Sequence, residues 1–191
     1  VAFMFTASAQ QAHWITADEQ TVNERNVWIE FKKDFDLKKS PKSVLAKIAA
    51  DSKYWLWING ECAVFEGGLK RGPSPTGSYC DVLTEDLNFR KGENEVTILV
   101  QYYGRNSFSH RVTATPGLYF DLTTKSDHIV SDNSWSAVRY NAMWQAPNEH
   151  NLQGYRKYRL AGANVAYDAR KAIDFSRDVD SREWPKAVAV E

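Results

Sequence analysis

Between Val44 and Ile58 the apolar side chains Val44, Ala46, Ile48, Ala50, Tyr54, Leu56 and Ile58 all occupy even positions. An extended strand turns alternate residues to opposite faces, so this run predicts a strand with one buried face; helical apolar positions recur every three or four residues. Asn59-Gly60 follows at once, a pair that accepts the positive φ angles of a tight hairpin turn. One strand from Val44 to Ile58, closed by a two-residue turn, is the expected nucleus of a sheet. Its odd positions carry Lys47, Lys53, Trp55 and Trp57, a cationic and aromatic face that a solvated strand has little use for. Something is expected to cover it, and Trp55 and Trp57 are read as an interdomain surface.

The same period of two recurs along the chain. Val27, Ile29, Phe31, Phe35 and Leu37 alternate with polar partners before Lys38-Lys39-Ser40-Pro41. Val96, Ile98, Val100 and Tyr102 alternate after a turn at Lys91 to Asn94, and Gly104 to Ser107 break that strand. Leu118, Phe120 and Leu122 follow Pro116-Gly117, and Ile129-Val130 run into Asp132-Asn133-Ser134-Trp135, a turn expected to tuck Trp135 into the sandwich edge. No window of about 12 residues holds a helical stripe. Strands at this spacing, separated by turn signals, predict an all-β, one-domain β-sandwich of jelly-roll type. From Arg139 to Asn164 the pattern fades, and residues 139–164 are expected to form an insertion or a long loop. The segment from Tyr167 reads as a loop closing on a final strand through Val188 and Val190.

Charge excludes some partners. The 24 basic and 24 acidic residues cancel, so no global field favours nucleic acid or an anionic membrane. The first nine residues, VAFMFTASA, are apolar and then small, ending in Ala7-x-Ala9 before Gln10. They read as the remnant of a secretory signal, which predicts an exported, periplasmic or extracellular protein with its sandwich over residues 10–191. Nothing later is long and apolar enough to span a membrane. Cys62 and Cys80 are the only cysteines; a single bridge is open to them, but two free, partly buried thiols is the favoured reading.

The search for catalytic machinery is largely negative. There is no phosphate loop, no nucleophile elbow and no HExxH pair. His13, His110, His128 and His150 lack ligand spacing, and Glu61, Glu66, Asp81, Glu85 and Asp86 read as solvated loop charges rather than a hydrolytic pair. No catalytic residue and no metal ligand is assigned. Calcium stays open as a cofactor, although no Asp/Asn run has the density of a dedicated calcium loop. Aromatic residues make up 13% of the chain, and two segments set such rings beside forked donors. The first is the Gly/Pro/Ser-rich loop with Lys70, Arg71 and Tyr79, and the second is Tyr103, Arg105, Asn106 and His110. Rings that stack on sugar C–H faces, next to groups that bond hydroxyls, make these seven residues the candidate carbohydrate contacts.

The runs AADSKYWLWINGECAVFEGGLKRGPSPTGSYCDV, LNFRKGENEVTILVQYYGRNSFSH, DNSW, YDAR and SREWPKAVAVE together resemble the N-terminal β-sandwich region of bacterial α-L-rhamnosidases of glycoside hydrolase family 78. The likeness runs from about His13 to Glu191. Its hairpin and Gly-x-Asn strand entry recur across galactose-binding-like sandwiches, whereas YDAR and the Trp-Pro closing strand point more narrowly to the rhamnosidase group. In that family the catalytic acid and base sit on an (α/α)6 helical barrel, so the resemblance implies a downstream catalytic domain as partner and no catalytic residue here. It implies a non-catalytic accessory module in rhamnoside degradation that binds sugar weakly; the alternative is a sandwich that serves only interdomain packing.

Overall fold

A computed structural model of the chain describes residues 11–18, 24–68, 79–84, 87–106, 112, 116–146, 165–175 and 184–190; the signal-like residues 1–9 lie outside them. In chain order the strands are β1 (Trp14–Thr16), β2 (Val27–Leu37), β3 (Leu45–Asp51), β4 (Lys53–Ile58), β5 (Glu61–Gly68), β6 (Asp81–Leu83), β7 (Gly92–Tyr102), β8 (Gly117–Thr123), β9 (His128–Val130), β10 (Ser136–Arg139), β11 (Met143–Gln145), β12 (Val165–Tyr167) and β13 (Val188–Val190). One sheet runs β13-β1-β8-β3-β6 with β9 added beside β8, and the other runs β10-β2-β7-β4-β5. The strand pairs described are antiparallel. The architecture is the all-β jelly-roll, galactose-binding-like sandwich expected from the period of two.

The inner faces meet in one apolar core. Ile29, Phe31, Tyr54, Leu56, Ile58, Ile98 and Val100 come from one sheet and Ile15, Ile48, Leu118, Phe120 and Leu122 from the other. Each such side chain contributes about 1.5–3 kcal/mol by leaving water. Trp135 is fully buried against Phe120, with ring centroids 5.1 Å apart, and its indole N–H donates to the Val130 carbonyl at 2.8 Å. Asp132 Oδ1 caps the turn before it by accepting from the Ser134 N–H at 2.8 Å.

The expected single strand from Val44 to Ile58 is two strands in different sheets. Asp51, at the end of β3, pairs with Gly117 of β8, whereas Lys53, at the start of β4, pairs with Gln101 of β7. Even positions face the core on both sides of Ser52, so the alternation passes through the corner in phase and hides it. Such a corner, where a chain changes sheets, is a standard way for a sandwich to close. The turn is as expected: Asn59 and Gly60 have φ of 51° and 82°, as a two-residue primed hairpin turn requires.

β7 departs from simple alternation. Thr97, Leu99 and Gln101 are buried as well as Val96, Ile98 and Val100, because the chain's own later residues cover the outer face of this sheet. Tyr140 and Ala142, with Met143, Ile173 and Phe175, pack on Trp28, Leu99, Trp55 and Trp57. Trp57 stacks on Phe175 with centroids 4.4 Å apart, and Trp55 on Trp28 at 5.3 Å. A layer within this chain therefore covers part of the face that the sequence reading set aside for another domain. Lys47, grouped with that face, projects from β3 in the other sheet and is exposed. Within the segment 139–164, β11 is a strand, paired with β12 in a two-stranded ribbon; residues 147–164 lie outside the described set.

Both cysteines are free, but they are exposed rather than partly buried. Cys62 lies on the edge strand β5, and Cys80 precedes Asp81, whose carboxylate holds the Gly68 amide at the far end of that strand. Six residues of strand separate Cys62 from Gly68, roughly 20 Å. A bridge needs Cα atoms within about 7 Å, so the two thiols cannot pair within the chain.

Candidate functional site

Strand register brings the starts of the two expected sugar-contacting loops to one end of the sandwich. Lys53 pairs on one side with Gly68, where β5 ends, and on the other with Gln101, near the end of β7. The segments toward Lys70 and Arg71 and toward Tyr103 and Arg105 thus start two strand spacings apart, roughly 10 Å. Lys70, Arg71 and His110 lie outside the described residues. Tyr79 is exposed, Arg105 is half-buried and Asn106 is exposed.

A buried polar network fixes the base of this end. The Ser52 N–H donates to the Gln101 carbonyl at 2.8 Å. Its Oγ donates to Asp51 Oδ1 at 2.8 Å and accepts from the Tyr103 N–H at 3.1 Å. Gln101 Nε2 donates to Asn26 Oδ1 at 2.7 Å, and the Asn26 N–H returns to the Tyr103 carbonyl at 3.2 Å. All five residues are buried. Tyr103, a candidate contact by sequence, is only 4% exposed, so it anchors the loop rather than offering its ring to solvent. Burial raises its phenol pKa, and the Glu66 carboxylate raises it further.

Ser52→Ala removes the donor to a buried carboxylate and the acceptor of a buried amide together. It is expected to cost about 2–3 kcal/mol in urea unfolding. It should also speed hydrogen exchange at Tyr103; unchanged protection there would remove Ser52 from the anchoring role.

Each loop is fastened at its ends. Asp81 Oδ2 accepts from the Gly68 N–H at 2.9 Å and from the Tyr54 hydroxyl at 3.1 Å, tying the exit of β5 to the entry of β6. Burial pushes the Tyr54 phenol far above its ordinary pKa, so it stays a donor. Asn106 Oδ1 accepts from the Val112 N–H at 3.0 Å across the second loop. Arg139 adds a clamp beside the chain entering β2, bonded to Glu24 at 2.7 Å and to Asp18 at 3.0 Å. Hydrogen bonds to Glu24 and then Asp18 hold its guanidinium pKa above the usual value.

The outer edge of this end carries an aromatic platform that sequence reading missed. Phe65 is 78% exposed and meets Trp55 edge-on at 6.4 Å. The Lys53 ammonium sits 4.9 Å above the Trp55 ring and is paired with Glu66 at 2.9 Å. An exposed ring flanked by an ammonium and a carboxylate can contact both the C–H face and the hydroxyls of a sugar. Phe65 escaped notice because β5 slips register against β4 twice, between Tyr54 and Leu56 and between Leu56 and Trp57. Each slip reverses the alternation on which a sequence reading depends.

The acidic residues near this end hold structure: Glu66 is paired with Lys53, and Asp81 with Gly68 and Tyr54, while Glu85 and Asp86 lie outside the described set. Among the described residues no group of three or more His, Cys, Asp or Glu is placed to hold a metal ion. Nor is any described helix long and apolar enough to cross a membrane.

Fold and loop-end architecture together define a galactose-binding-like sandwich. Over nearly its whole length the chain matches the α-L-rhamnosidase of glycoside hydrolase family 78 from Bacillus sp. GL1, with a TM-score of 0.72 and 23% identity, covering 96% of this chain and 19% of that one. The α-L-rhamnosidase of Aspergillus terreus is similar at TM-score 0.68 and 18% identity, over 95% of this chain and 21% of that one. A lectin of Pleurotus ostreatus, solved with GalNAc, is similar at TM-score 0.53 and 15% identity, over 93% of this chain and 42% of that one. The chain thus spans about a fifth of the length of these rhamnosidases, and the expected rhamnosidase-type sandwich is met at the level of fold. No family model matches the sequence, and no curated protein matches it.

Proposed function

We propose that this chain is a non-catalytic accessory sandwich of an exported α-L-rhamnosidase-like glycoside hydrolase, and that its loop end binds sugar weakly. The observation that carries this reading is coverage: 96% of the chain superposes on only 19% of a rhamnosidase. That leaves the catalytic work to a separate domain of the parent protein. Support for sugar binding comes from the lectin neighbour and from the loop end itself, where Tyr79 and Asn106 are exposed and Phe65, edge-on to Trp55, reaches solvent near the Lys53–Glu66 pair.

Calorimetry with L-rhamnose and rhamnose-containing oligosaccharides, with and without calcium, tests the reading. Millimolar affinity, lowered by Tyr79→Ala or Phe65→Ala, is the expected result. The chain alone should release nothing from an aryl rhamnoside. Absence of heat at millimolar sugar under both conditions would leave interdomain packing as the role of the module, with the exposed Phe65 and Trp144 as its surface.

A further inference from the structure

The opposite end of the sandwich, near the Asn59-Gly60 turn, holds a cleft of about 560 Å³ along the outer face of the β2-β7-β4 sheet. Its floor is unusual for a sheet. Asp34 stands directly across from Glu95, and Asp36 directly across from Glu93, on one face of β2 and β7. Like charges placed directly opposite each other destabilise a strand pair. Lys32 offsets one of them through its 2.5 Å contact with Glu95. Asp36 and Glu93 remain exposed at the cleft.

The rim is rigid. Asn94 bonds the Arg90 N–H and carbonyl and the Gly92 carbonyl, while Asn59 bonds Asn94, the Asn88 carbonyl and the Glu95 N–H. These amides are committed to the frame, so the groups facing the cleft arrive preorganised. Arg90, held by its Nε–H bond to the Glu93 carbonyl, supplies a donor on the same wall. Toward the centre of the sheet, Lys32, Thr97 and Trp57 form one cross-strand row. The half-buried Trp57 lies beyond the cleft lining, its ring stacked on Phe175.

We infer that this cleft is a second binding site, separate from the loop end, for a neutral polyhydroxylated ring such as an uncharged pyranoside. Four carboxylates exclude an anion, while Lys32 and Arg90 in the same cleft offset half of their charge. Charged acceptors and donors of both signs around a fixed cavity match the hydroxyls of a neutral sugar.

Nitrogen–proton correlation spectra of the full chain are to be titrated with methyl α-L-rhamnopyranoside, methyl α-galactopyranoside, galacturonate and putrescine. The neutral glycosides are expected to shift the amides of Gly60, Asn94 and Glu95 saturably at millimolar concentration, with the two charged probes weaker. The near-isosteric double variant Asp36→Asn/Glu93→Gln should lose about tenfold in affinity, the scale of hydrogen bonds to charged acceptors. Its melting temperature should rise as the opposed charges are removed. Tyr79→Ala, at the other end, should leave these shifts intact, which separates this site from the loop-end reading. Amides that stay still with neutral glycosides, shifts produced by putrescine in preference, or a double variant that binds as tightly as the parent would each overturn the inference.

Discussion

Trp135→Ala is expected to lower the unfolding free energy by about 3–5 kcal/mol, the range for deleting a large ring from a packed core. Trp135 is 0% exposed, packs on Phe120 and donates its indole N–H to the Val130 carbonyl. It also sits where the chain passes from β9 in one sheet to β10 in the other, and its backbone carbonyl accepts from the Ala187 N–H at 2.9 Å. The resulting cavity would therefore loosen the join between sheets as well as the core. With total stabilities of about 5–15 kcal/mol for ordinary domains, such a loss removes a large fraction of the whole. Urea denaturation followed by circular dichroism measures it, and Trp135→Phe should recover about half by refilling the space without the hydrogen bond. A loss under about 1 kcal/mol would show that the site collapses around the deletion and that Trp135 is not a keystone of the core.

Gly117→Ala is the second large effect. Gly117 has a φ of 136°, and a Cβ there would lie 2.0 Å from the Ile15 carbonyl oxygen. The obstacle is backbone, so no side-chain rotation relieves it. A disfavoured backbone and a steric insertion each cost about 1–3 kcal/mol, which together give about 4 kcal/mol. For a chain of this size that corresponds to a fall of about 8–16 °C in melting temperature. Because Ile15 of β1 pairs with Leu118 of β8, the damage should concentrate there. Hydrogen exchange at Ile15 and Leu118 should accelerate more than at the centre of β7. Uniform protection, or a melting point within about 1 °C of the parent, would mean that β1 yields without cost.

Much of the sandwich is legible because its strands are long and keep an apolar residue at every second position. Ile29 and Phe31 in β2, Ile98 and Val100 in β7, and Phe120 and Leu122 in β8 hold that period, and Asn59-Gly60 marks its own turn. The three-residue strand β1 is too short to leave a pattern; its partners at Leu118 and Val188–Val190 are more than a hundred residues away in sequence. The corner at Ser52 is invisible for a different reason: a strand that changes sheets without changing phase preserves its alternation. Exposure of the two thiols likewise depends on β5 and β6 being edges, which no spacing of cysteines reveals.

The candidate site divides in the same way. Its location at the loops after β5 and β7 follows from Gly, Pro and polar residues that interrupt an alternating run, a local property. The burial of Tyr103 and the exposure of Phe65 are not local. The first depends on Ser52 and Asn26 meeting Tyr103 from distant segments, and the second on two register slips between β4 and β5.

By itself the sequence determined the fold class, most of the strands, the hairpin and the inward residues of each sheet, since a period of two and turn-forming residues act within a few positions. Only the tertiary structure decided that the sticky face at Trp55 and Trp57 is partly covered by Phe175 and Tyr140. Likewise, only the pairing of β2 with β7 sets Asp36 against Glu93. Both depend on which distant segments meet, and that is settled by the free energy of the whole packed chain.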